Sequence, residues 1–223
     1  MTREAWRDQV DSLVDHAGIA GTDCQLRVLW DFDGVVADTE PLHDQTYQEL
    51  ARRRGHVLEP GYFDAMVGKT EPRIWSELIA QGFPARRDEI DDLARERQAA
   101  YLELALETLQ PTWVARALVP YFAGLGAQQF IVSNGDPDSQ ARLLAGWGLA
   151  DHLNIRRREP GEDKLGLLRR LYQPPVIVIE DNAGFLRQAR AAGAATIAVR
   201  NSFNADQDLP ADVIVSLLEP PER

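Results

Sequence analysis

A chain of 223 residues accommodates one core domain with a modest insertion, or two small domains. Its net charge of −11 leaves no basic surplus for neutralising nucleic-acid phosphates, and no apolar run approaches the ~20 residues that cross a bilayer. Cys24 is the only cysteine, so an internal disulfide is excluded and a reducing compartment is expected, with the thiol itself idle.

Residues Met1 to Asp15 are charged and lack the apolar centre of a secretion signal, which makes the cytoplasm the expected location. Thr2 to Ala17 places Trp6, Val10, Leu13, Val14 and Ala17 at helical spacing, with Gly18 as a stop. This extension, residues 1–20, reads as an amphipathic helix lying on the core or on a partner chain. The first strand, Leu26 to Asp31, is apolar and ends abruptly in Asp31-Phe32-Asp33-Gly34. Buried parallel strands have this continuous apolar character, and open α/β sheets place ligands beyond their carboxyl ends.

After Glu40-Pro41 the pattern turns helical through Leu42, Thr46, Tyr47, Leu50 and Ala51, ending near Gly55. A Pro60-Gly61 break and the turn-prone Gly68-Lys69-Thr70-Glu71-Pro72 lead into a helix from Arg73 to Ala80. Arg86 to Leu109, free of glycine and proline, predicts one more long helix. Residues 41–109 thus form an all-helical domain inserted into a strand-bearing core of residues 21–40 and 110–223.

From Thr112 onward strands and helices alternate. Helices are expected over Val114 to Phe122, Ser139 to Trp147, Lys164 to Tyr172 and Phe185 to Ala192. Strands are expected over Gln129 to Val132, Asn154-Ile155, Val176 to Ile179, Ala195 to Val199 and Val213 to Val215. This alternation predicts an α/β fold with a doubly wound parallel sheet. The basic runs Arg52-Arg53-Arg54 and Arg156-Arg157-Arg158 read as solvated faces, and His16, His56 and His152 as surface residues. Glu219 to Arg223 is tail-like.

Polar clusters cap three of the predicted strands: Asp31 with Asp33, Ser133 with Asn134, and Glu180 with Asp181. Parallel strands bring all three to one sheet edge, where four carboxylates are untenable without a cation. Oxygen-only ligation favours Mg²⁺. A hydroxyl, backbone amides and Lys164 provide what the oxygens of a phosphate need.

These residues resemble the haloacid dehalogenase-like superfamily, specifically its branch of β-phosphoglucomutases and small-cap phosphatases. Asp31-Phe32-Asp33-Gly34-Val35-Val36-Ala37-Asp38-Thr39-Glu40-Pro41 is similar to the family's first motif almost throughout. Ser133-Asn134 resembles the second, Lys164 the third and Glu180-Asp181-Asn182 the fourth, and Ala191-Ala192-Gly193-Ala194 resembles the segment that follows. The helical insertion sits where the family carries its cap. The third motif departs from the branch's Lys-Pro, because Lys164 precedes Leu165 and stands close in sequence to Glu180. Phe185 occupies the place of a common glycine.

The resemblance implies a phosphomonoesterase acting on a small phosphorylated metabolite, a sugar phosphate first; a monomer or homodimer is expected, and charge and hydropathy speak against a nucleic-acid or membrane partner. It implies Asp31 as nucleophile, Asp33 as acid and base, and Ser133 and Asn134 as holders of phosphoryl oxygens. Lys164 would neutralise charge, and Mg²⁺ would be held by Asp31, the Asp33 carbonyl and Asp181 with help from Glu180. Asp33 separates the chain from dehalogenases and phosphonatases, which lack that second acid. Thr39 and His43 match positions that β-phosphoglucomutases use near substrate, though His43 reads equally as a helix-surface histidine, while Lys69 and Arg73 are candidates for gripping a polar substrate or form a solvated pair. The arginine after Gly68-Lys69-Thr70 comes at Arg73, with Glu71 in its expected place, which favours a phosphatase over a mutase. A hexose-phosphate mutase remains the alternative of the same chemistry. A non-catalytic regulator using the N-terminal helix is the alternative from another class.

Overall fold

The computed structural model describes residues 5–16, 25–59, 61–63, 66 and 69–218. The expected stop at Gly18, the Cys24 thiol, the turn at Gly68 and the tail from Glu219 lie outside these residues. The chain packs as two units, one running to Asp38 and resuming at Gln110, the other Thr39–Leu109.

The first unit is an α/β layer structure, as the alternation predicts. Its strands are β1 (Arg27–Trp30), β2 (Gln128–Ile131), β3 (Asn154–Ile155), β4 (Val176–Glu180), β5 (Ala195–Arg200) and β6 (Val213–Ser216). All pair in parallel, in the order β3-β2-β1-β4-β5-β6. Trp30 at the end of β1 is level with Ile131 of β2 and Ile179 of β4, so the polar residues that follow each strand emerge side by side. The order reverses about β1, and such a reversal opens a crevice at the carboxyl edge of the sheet.

Four helices connect these strands: α5 (Trp113–Gly124), α6 (Pro137–Gly146), α7 (Lys164–Leu171) and α8 (Ala183–Ala191). Each starts at a capping side chain that accepts the amide three residues on: Thr112 from Ala115, Asp136 from Ser139, Asp163 from Gly166 and Asn182 from Phe185. Such caps contribute roughly 1 kcal/mol each and fix where the preceding loop ends. They explain why α6 and α8 begin two residues before their apolar pattern does: the first turn needs a cap, not a core-facing side chain.

The extension is α1 (Ala5–His16), and it lies against β6 and α5 of its own unit. Trp6 and Val10 are buried, with the Trp6 ring 6.3 Å from Trp113 and 6.4 Å from Tyr121, whose hydroxyl donates to Asp11. The apolar stripe is therefore spent inside the chain, not offered to a partner. Trp6→Ala should destabilise the fold by about 3 kcal/mol, measured by denaturant unfolding. A loss under about 1 kcal/mol would mean that α1 is not part of the core.

The second unit is all-helical: α2 (Glu40–Arg53), α3 (Glu71–Ala80) and α4 (Ile90–Thr108), closed around Tyr47, Trp75, Leu78 and Leu93. Pro41 and Pro72 occupy first helical turns, where a missing N–H is harmless. The single helix expected from Arg86 is instead a 3₁₀ turn, Arg87–Glu89, followed by α4. The Glu89 carboxylate accepts the Arg86 amide at 2.7 Å and tightens that first turn.

Candidate active site

The carboxyl ends of β1, β2, β4 and β5 carry the polar residues of the first unit. Leaving β1, Asp31 donates its amide to Ile179 and so stays in line with the sheet for one residue more. Its carboxylate is fixed from two sides: Oδ1 accepts the Phe32 amide at 2.8 Å, and Oδ2 lies 2.8 Å from Lys164 Nζ. Lys164 opens α7, and its ammonium also donates to Glu180 Oε2 at 2.6 Å. Glu180 ends β4, is fully buried, and receives the Asn182 amide on Oε1 at 3.1 Å.

Asp31, Glu180 and Asp181 each offer one oxygen within 4.8 Å of the others'. Three carboxylates against one ammonium leave this buried cluster under-neutralised. Burial and the neighbouring Asp31 charge push Glu180 well above the usual carboxylate range and Asp181 up to about 6. Burial alone would discharge Lys164, but Asp31 and Glu180 outweigh it and hold the ammonium above the usual lysine range. An oxygen-only, electron-rich cluster of this kind fits a hard divalent cation such as Mg²⁺.

Asp33 lies two residues beyond Asp31, in a loop closed by the Gly34 amide on Ala37 O and the Val36 amide on Phe32 O. Gly34 has φ +70°, and a Cβ there would stand 2.3 Å from Asp181 Oδ2 and 2.7 Å from Asn201 Nδ2. The loop can approach the Asp181 carboxylate only because this residue has no side chain. Gly34→Ala should therefore displace Asp181 and weaken Mg²⁺ affinity by about tenfold or more in calorimetry, since an ion held by oxygens demands close placement. Unchanged affinity would show that Asp181 is not a ligand.

From β2, Ser133 Oγ lies 3.4 Å from Asp33 Oδ2, so the second acid and the hydroxyl face one another. Asn134 follows, and its carbonyl accepts a hydrogen bond from Arg158 at 3.3 Å. The run expected to be a solvated face is exposed, yet Arg156 lies over Phe130, Arg157 pairs with Asp138, and Arg158 reaches this loop.

Two residues that sequence patterning gave no role complete the setting. Asn201, just beyond β5, donates Nδ2 to Asp181 Oδ2 at 2.8 Å, and Asn204 donates to the Asp181 carbonyl at 2.9 Å. Both are buried and bonded to each other's backbone. Their signal was a fourth polar strand end, Asn201-Ser202-Phe203-Asn204, which reads equally as a turn.

The remaining candidates belong to the helical unit. Thr39 is fully buried before α2, and its carbonyl accepts the Leu42 and His43 amides. His43 is no simple surface residue: its ring stacks on Tyr101 at 4.3 Å and its Nδ1 accepts Arg97 Nη1 at 2.8 Å. Burial and Arg97 lower its pKa to about 3, so the imidazole is neutral near pH 7. Arg97, buried itself, sits 2.9 Å from Glu71 Oε1 and packs over Tyr47. Lys69 and Arg73 both pair with Glu77, at 2.7 and 3.0 Å.

The carboxyl edge of a doubly wound parallel sheet thus gathers three carboxylates, a lysine and a serine, groups suited to positioning a phosphoryl group and offsetting its charge. The sequence profile of the haloacid dehalogenase-like hydrolases matches residues 27–193, and the chain belongs to that family. It is 27% identical over 186 residues to the fructose-1-phosphate phosphatase YqaB of Escherichia coli K12, covering 78% of this chain and 95% of that protein. Among solved structures, CbbY of Rhodobacter sphaeroides in complex with phosphate superposes with a TM-score of 0.69 at 18% identity, over 85% of this chain and 92% of the other. β-Phosphoglucomutase of Clostridium difficile gives 0.65 at 18% identity, over 86% and 91%. At such identities these structures speak for the fold.

Proposed function

We propose that the protein is a Mg²⁺-dependent phosphomonoesterase that hydrolyses a small sugar phosphate through a phosphoryl group carried on Asp31. The observation that carries this reading is the position of Asp31: its carboxylate is pinned by Lys164 and the Phe32 amide within an oxygen cluster that needs a cation. The likeness to a fructose-1-phosphate phosphatase supports a sugar phosphate as substrate.

Asp31, Asp181 and the main-chain carbonyl of Asp33 would hold Mg²⁺, with Glu180 anchoring Lys164 beside them. When bound, the ion supplies charge compensation between an anionic nucleophile and an anionic phosphate. An Asp31 oxygen forms the new bond to phosphorus as the ester bond to the sugar oxygen breaks, and Asp33 gives that oxygen its proton. Asp33, now a carboxylate, takes a proton from water, whose oxygen attacks the same phosphorus. The bond to Asp31 breaks, and inorganic phosphate leaves. Ser133 donates to a phosphoryl oxygen throughout, and Lys164 offsets charge on Asp31.

The test is phosphate release from fructose-1-phosphate and a panel of sugar, nucleotide and glycolate-type phosphates, with Mg²⁺ or with EDTA. Release from at least one sugar phosphate that stops in EDTA is expected. Isomerised sugar without free phosphate would establish a mutase instead, and no turnover on any substrate would establish a non-catalytic role.

A further inference from the structure

A serine hydroxyl has one proton to give and two lone pairs to fill. At Ser133 both lone pairs are filled by the protein: the Gly135 amide donates to Oγ at 3.0 Å, and Gln140 Nε2 donates at 3.0 Å. The hydroxyl can then act only as a donor. The acceptor on its open side is Asp33 Oδ2 at 3.4 Å, a long contact that a phosphoryl oxygen would improve on.

Gln140 is placed for this. It lies in the first turns of α6, whose start is set by Asp136 accepting both the amide and the hydroxyl of Ser139, and by the Gln140 amide on the Asp136 carbonyl. Its side chain is buried beside Leu143 and Leu144, on a helix face where an apolar residue is the default. A buried carboxamide there costs stability unless it is bonded, so its bond to Ser133 is what keeps it in place. The space is also cut to fit: a Cβ on Gly135 would come within 2.6 Å of Gln140 Nε2 and 3.1 Å of Asp33 Oδ2.

We propose that Gln140 is a positioning residue that makes the Ser133 hydroxyl an obligate hydrogen-bond donor to the phosphoryl group. This rests on the phosphatase reading above. The polarity of the contact gives it a signature that packing alone lacks. Gln140→Leu removes the donor, frees the hydroxyl to turn, and should weaken inhibition by inorganic phosphate and raise KM about tenfold, the size of one charge-assisted hydrogen bond. Gln140→Glu replaces the donor by an acceptor that captures the Ser133 proton, and should be as damaging as Ser133→Ala.

The experiment is a double-mutant cycle on phosphate inhibition and on KM against kcat, in the presence of Mg²⁺. In the Ser133→Ala background Gln140→Leu should have no further effect, because the hydroxyl it orients is gone. Gln140→Met gives the same readout should the leucine variant not fold. A full additional loss in the Ser133→Ala background, or a glutamate variant no worse than the leucine one, would overturn the proposal. Wild-type turnover is measured first: a wild type that releases no phosphate refutes the phosphatase reading and the proposal with it. An active wild type with an unaffected Gln140→Leu refutes the proposal alone.

Discussion

Asp31→Asn is expected to cut phosphate release by more than about 10³-fold while leaving the chain folded, since losing a covalent nucleophile removes the reaction path itself. Asparagine keeps the shape of the side chain and one carbonyl oxygen to accept the Phe32 amide, a bond now 2.8 Å long. It cannot become an acyl phosphate, because its amide nitrogen is no nucleophile at neutral pH. The substitution also removes one carboxylate from a cluster that has three for one ammonium. The metal-free protein therefore loses repulsion as well as an ion-pair partner, and its melting temperature in EDTA should change little. Measured turnover above a few per cent of wild type would overturn the assignment of Asp31. A collapsed melting temperature would make the residue a structural one.

Lys164→Met is expected to destabilise the fold by about 3–5 kcal/mol at neutral pH, because it strands buried carboxylates without their counter-ion. Lys164 touches both Asp31 at 2.8 Å and Glu180 at 2.6 Å, and its side chain is 12% exposed. The sign with pH follows from the direction of its shift. Its folded pKa is raised above the ordinary 10.5, so its contribution is complete below that value and is lost only in strong alkali. In the variant, Glu180 and Asp181, already raised by burial and by Asp31, lose the charge that opposes this. A raised carboxylate costs stability above its unfolded pKa, so the variant should be least stable at pH 8 and recover in part at pH 5. Urea unfolding at the two pH values tests this. An equal loss at both would mean that the lysine stem, not its charge, is what matters.

The sheet, the cluster of Asp31, Glu180 and Asp181, and the placing of Ser133 opposite Asp33 were legible because each polar group stands at the end of an apolar strand. Once the strands are parallel and level, such groups have nowhere else to go. Lys164 was harder to place, since no proline follows it and few residues separate it from Glu180. What the sequence pattern could not display is that Asp163 caps α7 and so turns residue 164 toward the β4 carboxylate. Asn201 and Asn204 left only a polar strand end that reads equally as a turn, and Gln140 left no signal. Their roles depend on which partner lies opposite, and buried amides have no periodicity to announce them. His43 shows the same limit: its neighbours Arg97 and Tyr101 come from α4, far along the chain, so its burial is a property of the packed helices alone. The break at Glu89 was missed for the opposite reason, since a local carboxylate-to-amide bond overrides an unbroken helical composition.

Transfer of phosphorus to Asp31, dependent on a divalent ion, is the central expectation. Enzyme mixed with Mg²⁺ and a radiolabelled sugar phosphate, quenched in acid within a turnover and digested, should carry label on the peptide containing Asp31, with none in EDTA or in Asp31→Asn. Phosphate release by a protein that never acquires label, or label on a different peptide, would contradict it.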